Sequence, residues 1–130
     1  PDEREAESGG EPDEREAETD TYVVRFNPDS ANLRPDTRQR LSEIADVVVD
    51  DDFLLRIDGH TAIAGTSEGR RRLSQLRAER VRDYLVDAGV SAERITGLRA
   101  LAATQPLTDD PQRQDANRRV EIVEIQEEKR

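Results

Sequence analysis

One guanidinium stands where a helix should bury apolar surface. On a wheel of about 100° per residue with Leu73 at zero, Tyr84 falls near roughly 20°, Ala88 near 60°, Val81 near 80° and Leu85 near 120°. Arg77 falls at about 40°, inside that apolar stripe. A buried, unpaired cation costs several kcal/mol, so Arg77 needs an anion or a cleft. Its planar fork suits a carboxylate, to which it can donate two parallel hydrogen bonds. Two partners fit these residue types. One is an internal acid, Asp58 or Glu121. The other is the carboxylate of a ligand. The helix's first turns border the 60–66 loop, and their orphan N–H groups also favour an anion.

Other reactive residues make a poorer case. His60 is the single histidine and there is no cysteine. Nucleophilic and metal chemistry need a second group in reach, so His60 reads as structural. Ser74 lies in no Gly-x-Ser-x-Gly turn and reads as a small helix-packing residue. Paired carboxylates would have to come from Asp58, Glu68 or Glu121, and nothing singles out two of them. No enzyme, cofactor or metal site is therefore expected. Arg70-Arg71-Arg72 reads either as a solvated face balanced by Glu68 and Glu79 or as a polar rim that meets anions. Arg118 and Arg119 adjoin on a strand, so one is expected in a cleft and the other in solvent.

Composition narrows the field. The chain has 130 residues, 33% of them hydrophobic, and a net charge of −10. Residues 1–20 hold ten acids and two arginines, a net of −8, leaving −2 for the remainder. The overall basic field that nucleic acid requires is missing. No apolar run approaches the ~20 residues that span a bilayer. The heptapeptide Pro-Asp-Glu-Arg-Glu-Ala-Glu occurs at 1–7 and again at 12–18. Such like-charged sequence cannot offset its ordering entropy by burial. Residues 1–20 are read as a disordered acidic linker spanning roughly 25 Å, a tether to a membrane-attached part of a longer protein.

The elements that must position Arg77 follow from periodicity. Tyr22, Val24 and Phe26 alternate along a first strand that begins near Thr21, followed by a turn at Asn27-Pro28-Asp29-Ser30. Pro35 opens a helix carrying Leu41, Ile44, Ala45 and Val48. Phe53, Leu55 and Ile57 mark a second strand stopping at Gly59, and a long helix runs over about 67–88 to Gly89. A short third strand starts at Ile95, 101–117 is loop-rich, and 119–125 makes the last strand. The order β-α-β-α-β-loop-β predicts an α+β domain over 21–126, a mixed sheet with helices on one face. A charged tail occupies 127–130.

Four segments, taken in order, resemble the OmpA-like peptidoglycan-binding domain, also found in Pal lipoproteins and MotB flagellar stators. They are Phe26-Asn27-Pro28-Asp29-Ser30-Ala31-Asn32-Leu33, Ile57-Asp58-Gly59-His60-Thr61, Leu73-Ser74 with Arg77-Ala78, and Asn117-Arg118-Arg119-Val120. The resemblance implies a periplasmic, outer-membrane-associated module that anchors an envelope protein by noncovalent binding of the peptidoglycan stem peptide. It implies that Arg77 takes a carboxylate of the stem's diamino acid, with Asn32, Thr61 and Arg118 framing the cleft. Three positions depart from the family. The Asp that would take the ammonium is Ala62, an Asn before the Leu-Ser pair is Arg70, and a Gly after the third strand is Ala100. Three explanations remain open for Ala62. The stem peptide carries ornithine rather than diaminopimelate, Asp58 or Glu68 substitutes in space, or the domain is a protein-interaction scaffold without peptidoglycan binding.

Overall fold

The structure, a computed structural model, describes residues 16–127. Four strands form one mixed sheet in the order β1-β4-β2-β3. They are β1 (Glu16–Arg25), β2 (Leu54–His60), β3 (Ile95–Ala102) and β4 (Arg119–Glu127). β4 runs antiparallel to both β1 and β2, while β2 and β3 are parallel. The parallel pair needs a crossover, which α2 (Ser67–Asp87) supplies. The helix α1 (Pro35–Val48) links β1 to β2. The expected α+β arrangement is the one found.

One core forms between helices and sheet. Leu41, Ile44 and Val48 of α1 and Ala78, Val81 and Leu85 of α2 meet Val24, Leu55, Ile57, Val120 and Ile122 of the strands. Thr66 caps α2 by accepting a hydrogen bond from the Gly69 amide at 3.0 Å. Gly89 follows that helix at φ +110°, a left-handed turn that glycine makes without strain. Gly59 has a different reason. A Cβ there would lie 2.0 Å from the Ser74 carbonyl oxygen, so only glycine lets β2 and α2 approach this closely.

Two element boundaries differ from the sequence expectation. The first strand begins at Glu16, inside the segment expected to be disordered linker. Glu16, Ala17 and Glu18 pair with Glu127, Gln126 and Ile125, and the Glu18 carboxylate meets Arg56 at 3.1 Å. Main-chain pairing with the far end of the chain offsets what charged side chains lack in strand propensity. Residues 1–15 of that linker, and 128–130 of the expected tail, lie outside the described residues. The third strand is not short. Its residues from Leu98 to Ala102 pair with β2, so Ala100 sits inside the strand rather than after it.

Candidate functional site

α2 carries Arg77 to the end of the sheet where three loops converge. Its side chain is fully buried. Neither expected internal acid pairs with it. Its Nε donates to the Ser30 carbonyl at 2.8 Å, and its two terminal nitrogens donate to His60 at 2.9 Å and Asn27 at 2.9 Å. The Phe26 ring lies 5.3 Å away, within cation–π range. Asp58 is engaged elsewhere. Its neighbour Gly59 faces α2, so by strand alternation Asp58 faces away, where Arg56 and Arg99 bind it at 2.9–3.2 Å. Glu121 accepts from Arg119 at 2.7 Å.

Arg77 is thus a cation held by carbonyl dipoles, without a buried counter-ion among the described residues. Burial pushes its pKa down to about 10, Arg118 adds to that, and Asp29 opposes it. The group stays charged at neutral pH. A guanidinium has five N–H donors, and three are used here. The other two have no acceptor among the described residues.

A pocket of about 230 Å³ adjoins this arginine. One wall is Pro28 and Asp29 and another is the 61–66 loop with Thr61 and Ala62. The first turns of α2 add Arg70, Leu73 and Arg77, and Arg118 closes the site. Thr61 Oγ1 and Arg118 Nε are both buried without a partner among the described residues. Arg70 donates to the Gly65 carbonyl at 2.7 Å and so braces the loop at the rim. Five of the six residues named from sequence therefore meet: Arg77, Thr61, Ala62, Arg70 and Arg118. Asn32 does not. It is exposed, its amide donates to Ser30 Oγ, and Pro28 and Asp29 take the wall expected of it.

Side chains behind the pocket fix its loops. Asn117 is fully buried and accepts from the Leu107 amide while donating to Thr108 and Gln114. Gln114 in turn accepts from the Ile63 amide at 3.0 Å, joining the 61–66 loop to the 105–117 segment. Ser74 Oγ donates to the Arg71 carbonyl and accepts from the Ala102 amide, so its hydroxyl ties α2 to β3. Asp29 and Ala102 both hold φ +52°, a left-handed backbone that side chains adopt only when their surroundings impose it. Arg119 is not in solvent as expected. It is 2% exposed, with Nε on Glu121 and a terminal nitrogen on the Gln105 carbonyl.

The sequence pattern of the OmpA family matches residues 25–119. This chain belongs to the OmpA family. Outer-membrane lipoprotein YfiB of Pseudomonas aeruginosa is 34% identical to this OmpA-family chain over 103 residues, covering 77% of it and 61% of YfiB. Peptidoglycan-binding protein ArfA of Mycobacterium tuberculosis is 34% identical over 103 residues, covering 77% of this chain and 31% of ArfA. The chain thus spans less than two thirds of either relative. The solved peptidoglycan-associated lipoprotein of Burkholderia pseudomallei aligns with a TM-score of 0.68 at 29% identity, over 78% of this chain and 88% of that one.

His60 links the pocket to the opposite sheet face. Its carbonyl serves Arg77, while its ring is buried with neither nitrogen hydrogen-bonded. Burial, then the Arg119 charge, pushes its pKa down to about 4, outweighing Glu121 and Asp58. The folded state therefore keeps the ring neutral while the unfolded chain takes up a proton near pH 6.5. Stability should fall by about 3 kcal/mol as pH drops from about 6.5 to about 4, and this group should add nothing further below that. Urea unfolding across that range checks this. A flat profile contradicts it.

Proposed function

We propose that this domain anchors an envelope protein to peptidoglycan by noncovalent binding of the stem peptide, without making or breaking a bond. The observation that carries this reading is the pair of cations at the pocket. Among the described residues, two of the five Arg77 N–H groups have no acceptor, and Arg118 keeps a buried Nε without a partner. Two like charges side by side are costly unless an anion joins them. A carboxylate entering the 230 Å³ pocket would relieve both. The names of ArfA and of the Burkholderia lipoprotein support peptidoglycan as its source, and YfiB supports an outer-membrane-associated, periplasmic setting.

The pocket's charge balance also bears on the diamino acid. Three guanidiniums, of Arg70, Arg77 and Arg118, face a single acid, Asp29. Ornithine's side chain adds an ammonium and no carboxylate, which does not suit this balance. Diaminopimelate has a free carboxylate beside its amine and fits better. The scaffold reading rests on Ala62 alone, whose methyl cannot neutralise an ammonium.

Co-sedimentation with purified diaminopimelate-type sacculi tests the proposal. The domain should pellet with them and be released by soluble stem peptide. Protein that stays in the supernatant at every sacculus concentration would leave the scaffold reading in its place.

A further inference from the structure

We infer that Asp29 is the acid that takes the ligand's ammonium in this chain, replacing a charge that the 61–66 loop does not supply. This rests on the stem-peptide reading above. Among the pocket-lining residues Asp29 is the one acid, and its exposed carboxylate, which makes no hydrogen bond or ion pair among the described residues, is open to a ligand. The other acids near enough in sequence are spent elsewhere. Asp58 is saturated by Arg56 and Arg99 on the far face of the sheet. Glu68 meets Arg72 at 3.3 Å and lines a neighbouring groove rather than this pocket.

The placement of Asp29 is held by the same arginine that faces the carboxylate. Arg77 binds the carbonyls of Asn27 and Ser30, which bracket Asp29 in the chain. The loop is therefore pinned on both sides, and Asp29 is fixed at φ +52° between the pins. The same buried cation therefore holds the stretch of backbone from which Asp29 projects. A ligand group with a carboxylate and an ammonium on one carbon would place its negative end at Arg77 and Arg118 and its positive end at Asp29. Such pairing needs preorganised partners, because ordering them on binding would cost part of the affinity. The Ala62 methyl would then be the apolar floor between them.

The test compares two soluble stem peptides, one with the free amine of diaminopimelate and one with that amine acetylated. Isothermal titration of the full chain should show at least about tenfold tighter binding of the free amine, as a charge-assisted hydrogen bond provides. Asp29→Asn should erase that preference by weakening the free-amine peptide only. Asparagine accepts left-handed backbone, so the variant keeps the loop. Asp29→Glu should restore part of the preference. Preference unchanged in Asp29→Asn would overturn the assignment while leaving the stem-peptide reading intact. Equal binding of both peptides by the unaltered chain would overturn it as well. Failure of both peptides to bind would overturn the stem-peptide reading together with this assignment.

Discussion

Arg77→Ala should destabilise the domain by about 3 kcal/mol, a large share of the 5–15 kcal/mol that holds a domain together. Two effects compete. Removing the cation relieves a desolvation cost, whose sign is visible in the lowered pKa of the group. Against this, the carbonyls of Asn27, Ser30 and His60 lose their donor together. A hydrogen bond to a charged group contributes about 1.5–3 kcal/mol, so three lost together outweigh the relief, with the enclosed His60 carbonyl losing most. The truncation also leaves a void against Phe26. Arg77→Lys should fall between, because an ammonium keeps the charge but cannot match a planar fork that reaches three separate carbonyls. Urea denaturation of the three proteins measures this. Equal midpoints for the Ala variant and the parent would show that the carbonyl contacts contribute little.

Gly59→Ala should cost more than about 3 kcal/mol, at the upper end of overpacking effects. The added Cβ would meet the Ser74 oxygen at 2.0 Å and its carbonyl carbon at 2.9 Å. Both are helix backbone, so no side-chain rotation can relieve the clash. α2 would have to move away from β2, taking Arg70, Leu73 and Arg77 with it. Stability and binding should therefore fall together. A thermal midpoint within a degree or two of the parent would contradict the close approach of β2 and α2.

These two positions show what was legible in the sequence. The 3.6-residue pattern placed Arg77 inside an apolar stripe, and the structure buries it completely. Its partners could not be read, because backbone carbonyls leave no mark on residue type. The reading offered Asp58 and Glu121, yet the chain uses Asn27, Ser30 and His60 through their main chains. Gly59 was legible as the end of a strand, while the reason for it lies in Ser74, fifteen positions away. The linker boundary was misplaced for a related reason. Glu16 to Asp20 look unsuited to a strand, and the β4 residues that pair with them come more than a hundred positions later.

The pocket itself was partly legible. Thr61, Ala62, Arg70, Arg77 and Arg118 were each named from sequence and do meet. Asn32 was carried over by resemblance and lies outside. Asp29 was seen as part of a turn but not as a wall, because its charge matters only once the loop folds over α2. Arg119 was assigned to solvent by alternation. Instead its strand position places it beside Glu121 on a covered part of the sheet. The signal for Asn117 was present in the quoted motif, but its role as an anchor for the 105–117 segment needed the coordinates.

The central claim is that Arg118 and Arg77 are kept unneutralised for a ligand's carboxylate, and Arg118→Ala separates this from a structural role most directly. Arg118 Nε holds no partner among the described residues, and its charge acts against Arg77. Removing it should leave the thermal midpoint unchanged or higher, while affinity for diaminopimelate-type sacculi falls at least about tenfold, the loss expected for one charged hydrogen bond. Undiminished pelleting of a stable Arg118→Ala domain would contradict the account.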